Sequence, residues 1–360
     1  MPAILYERAL TRGNLRPMKQ AGNILLLSFI IFCHCHGLSG QDLFWRAGMH
    51  SFFDNTEFAG SAFKIPQTMA GVRLTPGFGI RWDTTFNIYA GVDMLHEFGS
   101  KKTIDGIDPV AYLKYGSENL TFKMGAFPRR GTLDSYPRLF FQDSVYYYRP
   151  IVNGIFTEYR KGNAYVNLWL DWTGRRSMDV REAFFAGYSG SISKGIFYLR
   201  HFGYYYHFFI TSDPADNEAL HDNSLFLTSV GVDLSGRTFP DKLDLNAGWV
   251  SALERSRGEQ TGWIASNGFL SEVRAEYKFM GIFNSLYAGD GLMNFYSDHS
   301  NELYWGDAVY RSGFINRTDF YLTFFRSRKI DFQLTYSLHL MEGEVFNEQM
   351  LKVSVDLEGK

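Results

Sequence analysis

The stretch that decides the fold is residues 330–340, which read IDFQLTYSLHL. Apolar and polar side chains alternate along its whole length. Successive side chains of a β-strand point to opposite faces of the sheet, so this alternation predicts a strand with one apolar and one polar face. One face carries Ile330, Phe332, Leu334, Tyr336, Leu338 and Leu340, and the other carries Asp331, Gln333, Thr335, Ser337 and His339.

The same period of two recurs along the chain, for example in residues 164–173, 242–254 and 348–357. Many of these segments are roughly ten residues long, which is the length that a tilted strand needs to cross a bilayer. The pattern predicts strands at residues 43–53, 70–82, 87–97, 109–116, 119–126, 151–161, 164–173, 181–192, 195–207, 225–236, 242–254, 268–279, 282–289, 316–326, 330–341 and 348–357.

The predicted connections alternate between short turns and long loops, as they do in bacterial outer-membrane barrels. Inside a bilayer every backbone hydrogen-bonding group needs a partner within the protein, so strands can span it only as a closed barrel. We therefore predict an all-β fold, a transmembrane antiparallel β-barrel of about sixteen strands in the cell outer membrane, with fourteen or eighteen as alternatives. A soluble β-sandwich or β-propeller is the other architecture considered, but its strands are typically only about five or six residues long.

The composition excludes two further classes of protein. Aromatic residues make up 17% of the chain and the formal net charge is only −2. Disordered chains contain few aromatics, and nucleic-acid binders usually carry a basic surplus. We expect outer-membrane lipid as a partner and no nucleic acid.

Residues 1–40 have the pattern of a secretory signal peptide. The apolar run NILLLSFIIF occupies residues 23–32, follows Lys19 and precedes several small residues. A run of about ten apolar residues is too short for a transmembrane helix, which needs about twenty. Met18 is interpreted as the true start.

The mature protein is then expected to be a single barrel domain at residues 41–360. The chain's two cysteines, Cys33 and Cys35, fall inside the predicted signal segment. Export with lipid attached to one of them is an alternative. Otherwise the mature chain contains no cysteine, which excludes disulfides and cysteine-based metal sites.

In its predicted architecture the chain resembles the sixteen-stranded porins of Gram-negative outer membranes over nearly all of the mature length. The segments FFDN at residues 52–55 and GAFPR at residues 125–129 are similar to those of uncharacterised porin-like barrels. The resemblance implies a passive channel for small hydrophilic solutes such as sugars. It also implies a homotrimer, which is common among porins of this size.

In porins of that architecture the third external loop folds inward and narrows the pore, and here that loop is residues 129–150. The resemblance therefore implies a constriction in which charged and aromatic side chains select solutes. The candidate residues are Arg129, Arg130, Asp134, Tyr136, Arg138, Asp143, Tyr147 and Arg149.

A second set of charged residues is predicted to line the barrel interior. It comprises Arg73, Arg81, Lys123, Arg160, Arg274 and Glu276. These side chains could form a selective field opposite the loop. Alternatively, they solvate the interior and pair across strands.

No catalytic motif is evident, so the sequence predicts that the protein is not an enzyme and needs no cofactor or metal. It contains no nucleophile elbow of the form Gly-x-Ser-x-Gly and no His-Glu-x-x-His zinc pattern. His207, His221 and His299 fall in or near external loops, where a barrel hydrolase would place its base. The acidic residues at 212–223 are interpreted as a solvated loop. A loop-plugged structural or ligand-binding barrel and an outer-membrane hydrolase remain as alternatives.

Overall fold

A computed structural model describes residues 41–175, 181–209, 220–257, 262–341 and 343–360. The expected signal peptide at residues 1–40 lies outside this part of the chain. Among the described residues, no helix has both the length and the apolar character needed to cross a bilayer.

The described residues form a closed antiparallel barrel of sixteen strands, which confirms the predicted fold class and strand number. Each strand pairs with its neighbours in the sequence, and β1 closes the barrel against β16. The strands are β1 (Gln41–Glu57), β2 (Gln67–Trp82), β3 (Phe86–Glu97), β4 (Gly106–Gly116), β5 (Leu120–Pro128), β6 (Ile151–Lys161), β7 (Ala164–Gly174), β8 (Ala183–Lys194), β9 (Phe197–Phe209), β10 (Leu220–Asp233), β11 (Lys242–Arg257), β12 (Ile264–Tyr277), β13 (Met280–Gly289), β14 (Phe314–Arg326), β15 (Ile330–Met341) and β16 (Glu344–Gly359).

The side chains of β15 show why the alternating stretch forms a wall strand. Its apolar row faces outward, where Ile330 and Tyr336 are 41% and 44% exposed. Its polar row faces inward, where Ser337 and His339 are fully buried. The apolar face therefore meets lipid and the polar face meets the interior, as the period of two requires.

The two ends of the barrel differ in their connections. One end carries short turns such as that between β6 and β7, where Gly162 adopts a φ of 56°. The other end, called here the long-loop end, carries the loops at residues 129–150 and 290–313. The first loop contains helix α1 (Asp143–Tyr148), and the second contains helix α2 (Tyr296–Leu303) and a 3-10 turn at Ala308–Arg311.

Pro76 lies inside β2, where a proline removes one hydrogen-bond donor from the strand. Leu74 pairs with Met94, and Gly77 pairs with Gly91 in the same register. The strand therefore keeps its register on both sides of the proline, while the pairing with β3 skips Thr75 and Pro76. Gly91 permits this close approach, since a Cβ there would lie 2.5 Å from the carbonyl oxygen of Pro76.

One hydrophobic cluster fills the interior at the long-loop end. Phe140 and Phe141 from loop 129–150 and Trp305 from loop 290–313 pack against wall residues such as Phe185 and Tyr204. Beneath this cluster, a cavity of about 1590 Å³ extends towards the short-turn end. Within the described part of the chain, packed loops close the barrel and leave a polar cavity below them.

Candidate functional site

The loop at residues 129–150 is anchored to the barrel wall by Arg129. This side chain is fully buried, and its Nη2 donates to Asp171 Oδ2 at 2.5 Å. Its Nε donates to the carbonyl oxygen of Arg149 at 3.0 Å, and its guanidinium lies 5.0 Å from the Trp305 ring. The guanidinium of Arg149, at the other end of the loop sequence, lies 4.3 Å from the same ring. Both arginines therefore hold the loop in place.

Other constriction candidates line the cavity from above or pack within the loop. Asp134 accepts from the backbone N–H of Gly131 at 2.7 Å. Tyr136 accepts from Trp169 Nε1 at 2.7 Å, and Tyr147 stacks on Phe52 at 4.2 Å. The cavity is lined by Arg130, Asp134, Tyr136, Arg138, Asp143 and Tyr147. The structure brings these residues together, and their selective role stays a prediction.

Asp143 is the loop carboxylate that contacts cations on both the loop and the barrel wall. It accepts from Arg138 Nε at 2.8 Å and from Lys352 Nζ on the wall at 2.5 Å. Burial by itself would raise the pKa of Asp143, but Arg138, Lys352 and Arg317 outweigh it and hold that pKa far below its usual range. The carboxylate is therefore ionised and ties the loop to β16.

The predicted lumen charges are mostly engaged in local pairs. Arg73 bonds Asp93 and Asp108, both at 2.5 Å, within the barrel. The remaining contacts are Arg81 with Glu358 at 2.7 Å, Lys123 with Thr132 at 2.7 Å, Arg160 with Glu158 at 3.0 Å, Glu276 with Arg326 at 2.8 Å, and Arg274 over the Phe283 ring at 5.0 Å. Whether they act on a solute stays a prediction.

A serine–histidine pair in the cavity has its hydrogen bond in the wrong direction to activate the serine as a nucleophile. His50 Nδ1 lies 3.2 Å from Ser354 Oγ, while Arg130 Nη2 lies 2.6 Å from His50 Nε2. Arginine can only donate, so Nε2 accepts and the ring proton resides on Nδ1. Ser354 therefore accepts a hydrogen bond from His50, and His50 cannot withdraw its proton.

A histidine–carboxylate pair lies at the long-loop end, and its hydrogen bond has the direction that a general base requires. His339 on β15 and Glu348 on β16, called here the dyad, are 0% and 2% exposed. His339 Nε2 lies 3.2 Å from Glu348 Oε2, and Nδ1 has no hydrogen-bond partner among the described residues. The carboxylate fixes the proton on Nε2 and leaves the Nδ1 lone pair available, which is the arrangement of an oriented general base.

Two cations lie beside the dyad. Arg317 faces His339 across the β14–β15 register, and its Nη1 lies 3.1 Å from Glu348 Oε2. Lys64 Nζ lies 3.5 Å from Asp307 and 3.8 Å from Glu348. Burial works to lower the pKa of Lys64, but Asp307 and Glu348 outweigh it and raise that pKa, so the ammonium stays charged. These cations can stabilise negative charge that develops near the dyad.

Phe58 covers the dyad from the long-loop end. It stacks on Phe346 at 5.2 Å and meets the His339 ring edge-on at 5.0 Å. It lies at the start of the loop between β1 and β2, which also supplies Lys64. Phe58 and His339 are both fully buried, so this loop covers the dyad.

The chain matches the model of the lipid A 3′-O-deacylase-type family over residues 38–357. The match covers almost all of the barrel and includes both dyad residues. The chain belongs to the lipid A 3′-O-deacylase-type family. No curated protein is similar enough in sequence to count as a relative.

Solved structures similar to this family member agree on the fold. A loop-deletion form of OmpT, an outer membrane protein of Vibrio cholerae, has a TM-score of 0.54 at 9% identity, covering 89% of this chain and 100% of that one. The anion-selective porin of Comamonas acidovorans has a TM-score of 0.51 at 10% identity, covering 88% and 99%. An in-vitro folded OmpT, described as a trimer form, has a TM-score of 0.51 at 9% identity, covering 89% and 100%. The protein is an outer-membrane β-barrel.

Two predictions from the sequence are wrong. The family match overturns both the passive channel for small hydrophilic solutes and the statement that the protein is not an enzyme. The physical reason is that alternation reports only which faces meet lipid and which meet the interior. An open pore and a barrel filled by its own loops give the same pattern.

The structure separates the histidines that the sequence placed near external loops. His221 and His299 come together with their rings 4.6 Å apart, and both nitrogens of the buried His221 lack a hydrogen-bond partner among the described residues. His207 instead lies 3.7 Å from Asp222. None of the three is in the dyad.

Sequence reasoning did not select His339 as a candidate base. The residue was assigned to the inward face of its strand, but nothing in the sequence marked Glu348 as its neighbour. In the described residues no group of three or more His, Cys, Asp or Glu could hold a metal ion. Residues 212–219 of the acidic loop lie outside that part of the chain.

Proposed function

We propose that this protein hydrolyses an acyl ester of a lipid A-type glycolipid in the outer leaflet, with His339 as the general base. The family match supports the class of reaction. The observation that carries the assignment of residues is the buried dyad, in which Nε2 contacts Glu348 and Nδ1 is unpaired.

The reaction steps follow from the unpaired Nδ1 of His339. His339 Nδ1 takes a proton from water, and the water oxygen attacks the ester carbonyl carbon. Arg317 and Lys64 stabilise the charge that develops on the carbonyl oxygen. The bond between the acyl carbon and the sugar oxygen then breaks, and His339 returns the proton to that oxygen. The products are a free fatty acid and a glycolipid with a new hydroxyl group.

Water is the nucleophile in this scheme because the serine nearest to Arg317 is already engaged. Ser337 Oγ accepts from Arg317 Nη2 at 3.1 Å and donates its proton to Asp319, so the hydroxyl proton is directed away from His339. Ser337 faces Glu348 across the β15–β16 register, and its role is to support the dyad.

The test is hydrolysis of purified lipid A by the folded protein in detergent, followed by mass spectrometry of the glycolipid and the released fatty acid. His339→Gln is expected to lower the rate roughly 10²- to 10⁴-fold, because a positioned general base contributes about that much. His221→Gln is the matched control, since His221 is equally buried but outside the dyad. Loss of activity in His221→Gln with full activity in His339→Gln would reject the assignment.

A loop-plugged barrel without catalysis is the second candidate, and the hydrophobic cluster that fills the long-loop end favours it. It predicts that folded wild-type protein releases no fatty acid from lipid A. Assembly as a trimer stays a prediction.

A further inference from the structure

Two arginines lie on the outer face of the barrel wall at the long-loop end. On β11 the outer row contains Trp249 and Leu253, which are 58% and 36% exposed, while Val250 and Ala252 on the inner row are buried. Arg255 and Arg257 continue the outer row to the last residue of the strand. They lie above an apolar band, at the height where lipid headgroups begin.

A single buried carboxylate arranges both guanidinium groups. Asp222 on β10 is 1% exposed. Arg255 donates to its Oδ2 from Nε at 3.2 Å and from Nη2 at 2.7 Å. Arg257 donates from Nε to Asp222 Oδ2 at 2.8 Å and from Nη2 to Asp222 Oδ1 at 3.1 Å. Among the described residues of this group, two positive charges share one negative charge, which leaves a surplus of one.

Both arginines remain reachable from outside. The side chains of Arg255 and Arg257 are 27% and 48% exposed, and Arg255 packs 4.6 Å from the centre of the Trp263 ring. Each guanidinium has five N–H donors, of which the bonds to Asp222 use two. A fork of oriented donors with surplus positive charge is suited to a phosphate group.

We propose that Arg255 and Arg257 form a binding site for the phosphate of a phosphorylated lipid in the outer leaflet. The acyl chains of that lipid lie along Leu253 and Trp249 below. The site is on the outer wall, whereas the dyad is inside the barrel, so it goes beyond the proposed hydrolysis and does not depend on it.

The test measures binding of lipid A and of the same lipid without its phosphates to the detergent-solubilised protein by microscale thermophoresis. All variants carry His339→Gln so that turnover does not interfere, and the outcome is independent of activity. Arg255→Gln with Arg257→Gln is expected to weaken binding of the phosphorylated lipid by roughly tenfold or more, since hydrogen bonds to charged groups contribute about that much each. Binding of the dephosphorylated lipid is expected to stay unchanged.

Arg46→Gln with Arg81→Gln is the matched control. These two arginines also share one carboxylate, Glu358, with both contacts at 2.7 Å, but Arg46 and Glu358 line the cavity inside the barrel. Unchanged affinity in the Arg255/Arg257 variant, or an equal loss in the control, would overturn the proposal. Displacement of the lipid by millimolar inorganic phosphate would also overturn it, because the site would then bind free phosphate.

Discussion

At the scale of single residues, the dyad depends on Glu348 keeping its negative charge. Glu348→Gln retains the shape but removes the charge that stabilises a protonated His339. We expect the rate of lipid A hydrolysis to fall at least roughly tenfold with little change in KM, because the effect arises when the base is protonated. Arg317 would lose one partner but keep Asp319 at 2.7 Å. Heat-modified mobility on a denaturing gel checks folding, and a folded variant with unchanged kcat would contradict the role given to Glu348.

At the scale of elements, the loop at residues 129–150 is held by ionised Asp143. Its depressed pKa means that the contact stabilises the fold fully above the unfolded value of about 4 and is lost as pH falls below it. We expect the Tm of the wild type to fall more steeply between pH 5 and pH 3 than that of Asp143→Asn. Glu158→Gln, which removes a carboxylate from an exposed pair on β6, is the control. Parallel curves for wild type and Asp143→Asn would contradict the anchoring role.

The elements also show what the sequence can predict. The strands could be found because each carries its own period of two, and β6 and β15 begin and end at the predicted residues. The sequence could not predict that loops fill the barrel, or that Arg317 and Lys64 lie beside the dyad. Both features depend on contacts between residues that are far apart in the sequence, such as Lys64 and Asp307, and such contacts leave no local periodicity.

At the scale of the whole molecule, packed loops replace an open pore. Phe140, Phe141 and Trp305 belong to one cluster with wall residues from many strands. We expect folded wild-type protein in planar lipid bilayers to show no stepwise ohmic conductance, because the apolar side chains of the described loop residues fill the barrel at the long-loop end. Steady conductance steps that scale with the amount of inserted protein would contradict a closed barrel.

Mass spectrometry of lipid A incubated with wild-type protein, His339→Gln and His221→Gln tests whether His339 is the base of an ester hydrolase. We expect wild type and His221→Gln to release one fatty acid for each new hydroxyl on the glycolipid, and His339→Gln to release almost none. Intact lipid A after incubation with correctly folded wild-type protein, or full release by His339→Gln, would contradict this assignment.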